Sequence, residues 1–87
     1  MQRILLIDDD RELCALMKTY LEAESFSVAA RHDGESGLEA ALSGGYELVV
    51  LDVMLPGMGG FSVLTELRKA SAAPVLMLTA RDSEADK

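Results

Sequence analysis

The sequence predicts an α/β fold built on a parallel sheet, and three observations predict it. Short apolar runs without polar alternation recur at Ile4-Leu5-Leu6-Ile7, Val49-Val50-Leu51 and Val75-Leu76-Met77-Leu78. Such runs read as strands buried on both faces. Segments of helical spacing, each about ten residues long, lie between them, the pattern of right-handed βαβ units. The third observation is Val49-Val50-Leu51-Asp52-Val53-Met54-Leu55-Pro56-Gly57. Here a buried run stops abruptly in a carboxylate and a Pro-Gly loop follows, at the sheet edge where open α/β sheets bind ligands.

The elements follow in order. Arg3 to Ile7 forms a first strand, stopped by Asp8-Asp9-Asp10. Asp10 is placed to cap a helix, its side-chain oxygen accepting an otherwise orphaned backbone N–H. Leu13, Leu16, Met17, Tyr20 and Leu21 then fall at helical spacing and mark one apolar stripe. Cys14 reads as a small packed residue within that helix. Phe26 to Ala30 is a weaker, edge-like strand, and Arg31-His32-Asp33-Gly34 a turn, with Asp33 capping the next helix. His32 is the only histidine and reads as a solvated turn residue, with no partner at a metal-ligand spacing. Leu38, Ala41 and Leu42 supply the second helix's apolar face, and Gly44-Gly45 stops it. Leu48 to Asp52 is the third strand. A loop rich in Pro and Gly runs from Val53 to Gly60. Phe61, Leu64 and Leu67 give the apolar face of a third helix ending near Ala70. Pro74 prevents continuation. Val75 to Thr79 is a fourth strand, and Ser83 to Lys87 begins a fourth helix. Met17 and Met77 read as core filler and Met58 as an exposed loop residue.

Bulk properties narrow the function. The 87 residues suffice for one small domain over 1–87. The net charge is −7 and no cluster of Lys or Arg appears, so this segment carries no electrostatic footprint for direct nucleic-acid binding. A single cysteine excludes an internal disulfide and fits a reducing compartment. The opening apolar run is too short for a signal peptide or membrane span. The expectation is a cytoplasmic protein that does not bind a membrane.

In a parallel sheet the residues following each strand gather at one edge. Three such positions here are polar: Asp8-Asp9, Asp52 and Thr79. Neighbouring strands lie about 5 Å apart, within convergence distance. Close carboxylates repel, and a set of hard oxygen donors without His or Cys suits Mg²⁺ or a similar cation. Spacing alone equally allows Asp8-Asp9-Asp10 to be a simple strand-to-helix cap. A cap does not account for Asp52 at the end of a separate buried strand. The aspartate run lacks the alternate spacing and glycine of a calcium loop, and no phosphate-binding Gly-rich segment with Lys-Ser/Thr is present. Nor is there an evident Ser/His/Asp set, and Met54 stands where an aspartate-dependent phosphatase commonly has a second aspartate.

Taken together, Ile4-Leu5-Leu6-Ile7-Asp8-Asp9-Asp10, Asp33-Gly34, Leu51-Asp52-Val53-Met54-Leu55-Pro56, Gly60 and Leu78-Thr79-Ala80 resemble the receiver domain of bacterial two-component response regulators. The segments Asp8-Asp9-Asp10-Arg11-Glu12-Leu13 and Leu78-Thr79-Ala80-Arg81 look most like the branch carrying a winged-helix DNA-binding domain, of the CpxR type. The resemblance implies a flavodoxin-like (CheY-like) sheet of order 2-1-3-4. It implies that Asp52 accepts a phosphoryl group from a sensor histidine kinase, as a phosphoacceptor rather than a turnover enzyme. It further implies Mg²⁺ held by Asp9 directly, Asp8 through water, Asp52, and the Met54 backbone carbonyl. Thr79 is then the switch hydroxyl, and the backbone N–H groups of Val53 and Ala80 donate to phosphoryl oxygens. In a full-length parent, transcription would be the output.

The chain also departs from the family pattern. The family places a lysine at the end of a fifth strand, whereas the lysines here are Lys18, Lys69 and Lys87. The expectation is a receiver truncated after its fourth strand, without the fifth strand and fifth helix. Two functional readings follow: a phosphoacceptor signalling module, or a folding and assembly fragment that keeps the shape without a competent switch. In the order 2-1-3-4, Val75 to Thr79 becomes an edge with no protective Lys or Pro, and the stripe around Leu13, Leu16 and Leu21 is left uncovered, so self-association is expected.

Overall fold

A computed structural model describes residues 2–78. Its elements are β1 (Arg3–Ile7), α1 (Arg11–Ala23), β2 (Ser27–Arg31), α2 (Gly34–Leu42), β3 (Leu48–Asp52), α3 (Gly60–Arg68) and β4 (Val75–Leu78). The four strands form one parallel sheet in the order β2-β1-β3-β4, as the resemblance implies. β1 and β3 match the expected spans. β2 starts and ends one residue later than expected. The Thr79 end of β4, Ala80 and the fourth helix expected from Ser83 lie outside the described residues.

The central strands are buried on both faces because helices cover both. On one side Leu5, Ile7, Val49 and Leu51 pack with Ala40 and Ala41 of α2 and with Val63 and Leu67 of α3. On the other, Ile4, Leu6 and Val50 meet Val28 and Cys14. Each apolar run thus feeds two cores with alternate residues, which is why it shows no polar alternation.

Both helix starts read from aspartates form as expected. Asp10 Oδ1 accepts from the Leu13 N–H at 3.0 Å and Asp33 Oδ1 from the Ser36 N–H at 2.8 Å. α2 ends before Gly44 and Gly45, whose φ values of 85° and 89° turn the chain toward β3. The helix faces differ in detail from the sequence reading. In α1 the sheet-facing line is Cys14, Met17 and Leu21, while Leu16 and Tyr20 are 68 % and 71 % exposed. In α2 the buried residues are Gly34, Gly37, Ala40 and Ala41, and Leu42 faces outward. In α3 Val63 joins Leu67 in the core and Phe61 is exposed. A flat sheet receives a narrower stripe than the apolar residues of each helix offer, so the residues at the stripe's margin are left out. Cys14 is fully packed, as expected, and Met58, expected in solvent, is half-buried against the α2–α3 core. β4 is only partly covered among the described residues, with Leu76 exposed. No helix among them is long and apolar enough to cross a membrane.

Candidate functional site

β1 and β3 are neighbours paired in register Ile7↔Leu51. The residue after Ile7 therefore comes level with the residue after Leu51. That register brings Asp8 beside Asp52, and Asp9 follows. One carboxylate oxygen from each of Asp8, Asp9 and Asp52 lies within 4.8 Å of the others. They open into a cleft of about 460 Å³ lined also by Asp10, Leu13, Met54 and Leu78. The cap and the convergence of carboxylates are both present, on different residues. Asp10 caps α1, and Asp8 and Asp9 join Asp52.

Asp52 is the one buried charged residue among the described residues, 7 % exposed. Its Oδ1 accepts the Met54 N–H at 3.0 Å. Among the described residues the sole side-chain ion pair is Lys69–Glu66 on α3, so no cationic side chain there neutralises Asp52. A buried carboxylate without a counter-charge is costly. Asp8 shows the strain of the same crowding. Its carboxyl is held above the ordinary carboxylate value, first by burial and then by the charges of Asp52, Asp9 and Asp10; the hydrogen bond from the Asp10 N–H to Asp8 Oδ1, 2.9 Å, acts the other way. Three hard oxygen donors, mutually repelling and without nitrogen or sulfur, fit a divalent cation such as Mg²⁺.

One expectation changes at the loop after β3. The Val53 N–H is not available to a bound group, because it donates to the Leu78 carbonyl at 3.0 Å and continues the β3–β4 ladder. The amide that faces the Asp52 carboxylate is that of Met54, whose side chain is exposed. Thr79 and Ala80 lie outside the described residues.

Sequence reasoning also missed two residues near the site. His32 is half-buried rather than solvated, and its Nδ1 lies 3.0 Å from the Asp8 carbonyl oxygen. Cys14 Sγ reaches the same oxygen at 3.5 Å. The signal was the β1–β2 pairing Ile7↔Arg31, which sets the residue after Arg31 beside Asp8 and is not visible until the strand neighbours are known.

The model of the response regulator receiver domain matches residues 4–87. The transcriptional regulatory protein CpxR of Klebsiella pneumoniae is 51 % identical over 87 residues, covering 100 % of this chain and 37 % of its own length. The chain thus spans little more than a third of that curated relative. The response regulator TrrA of Thermotoga maritima, solved in complex with Mg²⁺-BeF, superposes with a TM-score of 0.87 at 37 % identity, covering 94 % of this chain and 72 % of that one. A solved complex of the histidine kinase ThkA with TrrA matches at a TM-score of 0.86 and 35 % identity, covering 100 % of this chain and 76 % of the other.

Proposed function

Because the chain belongs to the response regulator receiver domain family, we propose that Asp52 is its phosphoacceptor. The observation that carries this is the convergence of Asp8, Asp9 and Asp52 within 4.8 Å at the ends of two adjacent central strands. In the proposed step a carboxylate oxygen of Asp52 attacks the phosphorus of a phosphohistidine. The new O–P bond forms as the P–N bond breaks, the bonding pair returns to the ring nitrogen, and the histidine of the kinase, carrying a hydrogen on its other ring nitrogen, leaves as neutral imidazole. Asp9 directly, Asp8 through water, Asp52 and the Met54 carbonyl would hold Mg²⁺. When bound, that ion supplies the positive charge that offsets carboxylate and phosphoryl oxygens.

The chain's own groups do the rest. Asp52 is buried at the cleft, and the Met54 N–H donates to its Oδ1 at 3.0 Å, which restricts the orientation of the carboxylate. Thr79 is the proposed switch hydroxyl, and the Ala80 N–H a donor to the phosphoryl group. Each transfer consumes the acceptor carboxylate, so the module is a receiver and not a turnover enzyme. The proposed partner is a sensor histidine kinase, in keeping with the ThkA–TrrA complex, and the proposed location of this chain is the cytoplasm. Transcriptional control is the proposed output of a longer parent protein, as the CpxR relative's name indicates for that protein. A net charge of −7 gives this segment no direct role on nucleic acid. Self-association of the chain is proposed as well and is argued below.

The test is phosphoryl labelling by acetyl phosphate with Mg²⁺, read by intact mass. The wild type is expected to gain one phosphoryl group, and Asp52→Asn none. Labelling of Asp52→Asn to the wild-type extent would remove the assignment.

A further inference from the structure

We propose that His32 and Cys14 are positioning residues for the cation site, acting through the backbone carbonyl of Asp8. The inference rests on the Mg²⁺ reading above and extends it to residues outside the carboxylate set. Asp8 is the ligand with most reason to move, since it sits among Asp9, Asp10 and Asp52 and all four carry like charge. Nothing in the β1–β2 ladder holds its carbonyl, which lies past the last paired residue of β1. Two side chains from different elements take that place. His32, just after β2, approaches the oxygen at 3.0 Å, and Cys14, from the first turn of α1, at 3.5 Å.

The chemistry of the contact fixes the donors. A carbonyl oxygen only accepts, so the His32 Nδ1 must carry the hydrogen. Cys14 is buried at 3 % exposure, and its S–H is the donor to that oxygen. The peptide is held at its other end too, the Asp8 N–H donating to the Arg31 carbonyl at 3.0 Å. With both ends of Asp8 tied, its side chain starts from a fixed point, and its Oδ1 is steadied by the Asp10 N–H. Outer groups that orient ligands in this way typically govern metal affinity by one to two orders of magnitude.

Magnesium titration by calorimetry on the whole chain, with MgCl₂ as the probe, tests this. His32→Ala is expected to weaken Mg²⁺ binding about tenfold. His32→Asn, whose side-chain amide can donate from nearly the same place, is expected to recover most of it. Cys14→Ala and Cys14→Ser form an independent pair, in which the serine hydroxyl keeps a donor. Nitrogen NMR of the free wild type supplies a readout that activity does not enter, and neutral His32 is expected as the Nδ1–H tautomer. Wild-type affinity in both alanine variants would overturn the proposal, as would a folded His32→Asn protein no tighter than His32→Ala, or an Nε2–H tautomer. Asp9→Ala separates the two levels of the argument. If it binds Mg²⁺ like the wild type, the carboxylate site itself is wrong and this inference falls with it; if it loses binding while both alanine variants keep it, only the positioning role fails.

Discussion

Asp8 is ionised at a cost to the fold, and that cost has a sign. Its carboxyl is held above the ordinary value of 3.8 by burial and by Asp52, Asp9 and Asp10. A group whose pKa is raised on folding favours the folded state at low pH, below its unfolded value. That contribution is lost as pH rises through its folded value. At neutral pH, then, Asp8 weakens the metal-free protein. Asp33 runs the other way. The Ser36 N–H holds its carboxyl below the ordinary value, so the stability it contributes is present at neutral pH and lost as pH falls through its folded value. We expect Asp8→Asn to raise the neutral-pH melting temperature of the magnesium-free chain, to flatten its gain in stability on mild acidification, and to abolish any rise in Tm on adding Mg²⁺. Thermal melts with and without the metal check this. An Asp8→Asn protein less stable than the wild type at neutral pH, without metal, would show that the local hydrogen bonds of Asp8 outweigh its repulsions.

At the scale of elements, the site depends on how closely α3 approaches the end of β3. A Cβ built on Gly60 would collide with the Asp52 carbonyl oxygen and come within 2.8 Å of the Val53 Cα, both backbone atoms that cannot swing aside. The Gly60 N–H also donates to the Val53 carbonyl at 3.1 Å. Gly60→Ala must therefore shift either the first turn of α3 or the Asp52 peptide. It is expected to cost about 1–3 kcal/mol as an overpacked contact and to slow phosphoryl labelling at Asp52; a variant with wild-type Tm and labelling rate would refute the close approach. The elements themselves were largely legible in the sequence. Ile4 to Ile7 and Val49 to Leu51 have no polar alternation because both faces are covered, and a buried strand that ends in Asp52 signals the ligand edge. The faces of the helices were less legible. Leu16, Tyr20, Leu42 and Phe61 are as apolar as the residues that are buried, and periodicity does not say which of several adjacent apolar residues the sheet will touch. Cys14 and Ala41 are buried as the sequence reading has them, whereas Ala40, equally small and equally buried, carries too weak an apolar signal to be singled out. Site residues set by neighbouring strands were hidden in the same way. Asp8, Asp9 and Asp52 follow from parallel topology alone, but the His32 contact needs the β1–β2 register and the loss of the Val53 amide needs the β3–β4 ladder.

For the whole molecule, the question is what the described surface leaves uncovered. The character of that surface is what stands out. On α1, Leu16 and Tyr20 are exposed beside half-buried Met17 and Leu21, and together these four line an apolar hollow. On the same sheet β4 lies at the end of the order β2-β1-β3-β4, with no strand on its far side among the described residues. Its segment Val75-Leu76-Met77-Leu78 contains no charge and no proline, the devices that usually keep an edge from pairing. An apolar helix face and an unprotected parallel edge on one molecule favour contact with a second copy, by strand pairing at β4 or by burial of the α1 hollow. We expect the 87-residue chain to show a sedimentation coefficient that rises with concentration across the micromolar range. Leu76→Lys should suppress that rise if pairing is at β4, because a charge pointing from the edge strand opposes a second strand. Tyr20→Lys should suppress it if the α1 hollow is the contact, and because both positions are exposed, neither change disturbs the two cores. A chain that sediments as a compact monomer at every concentration and unfolds cooperatively would refute the association, and would mean that the chain covers its own apolar surface without a second copy.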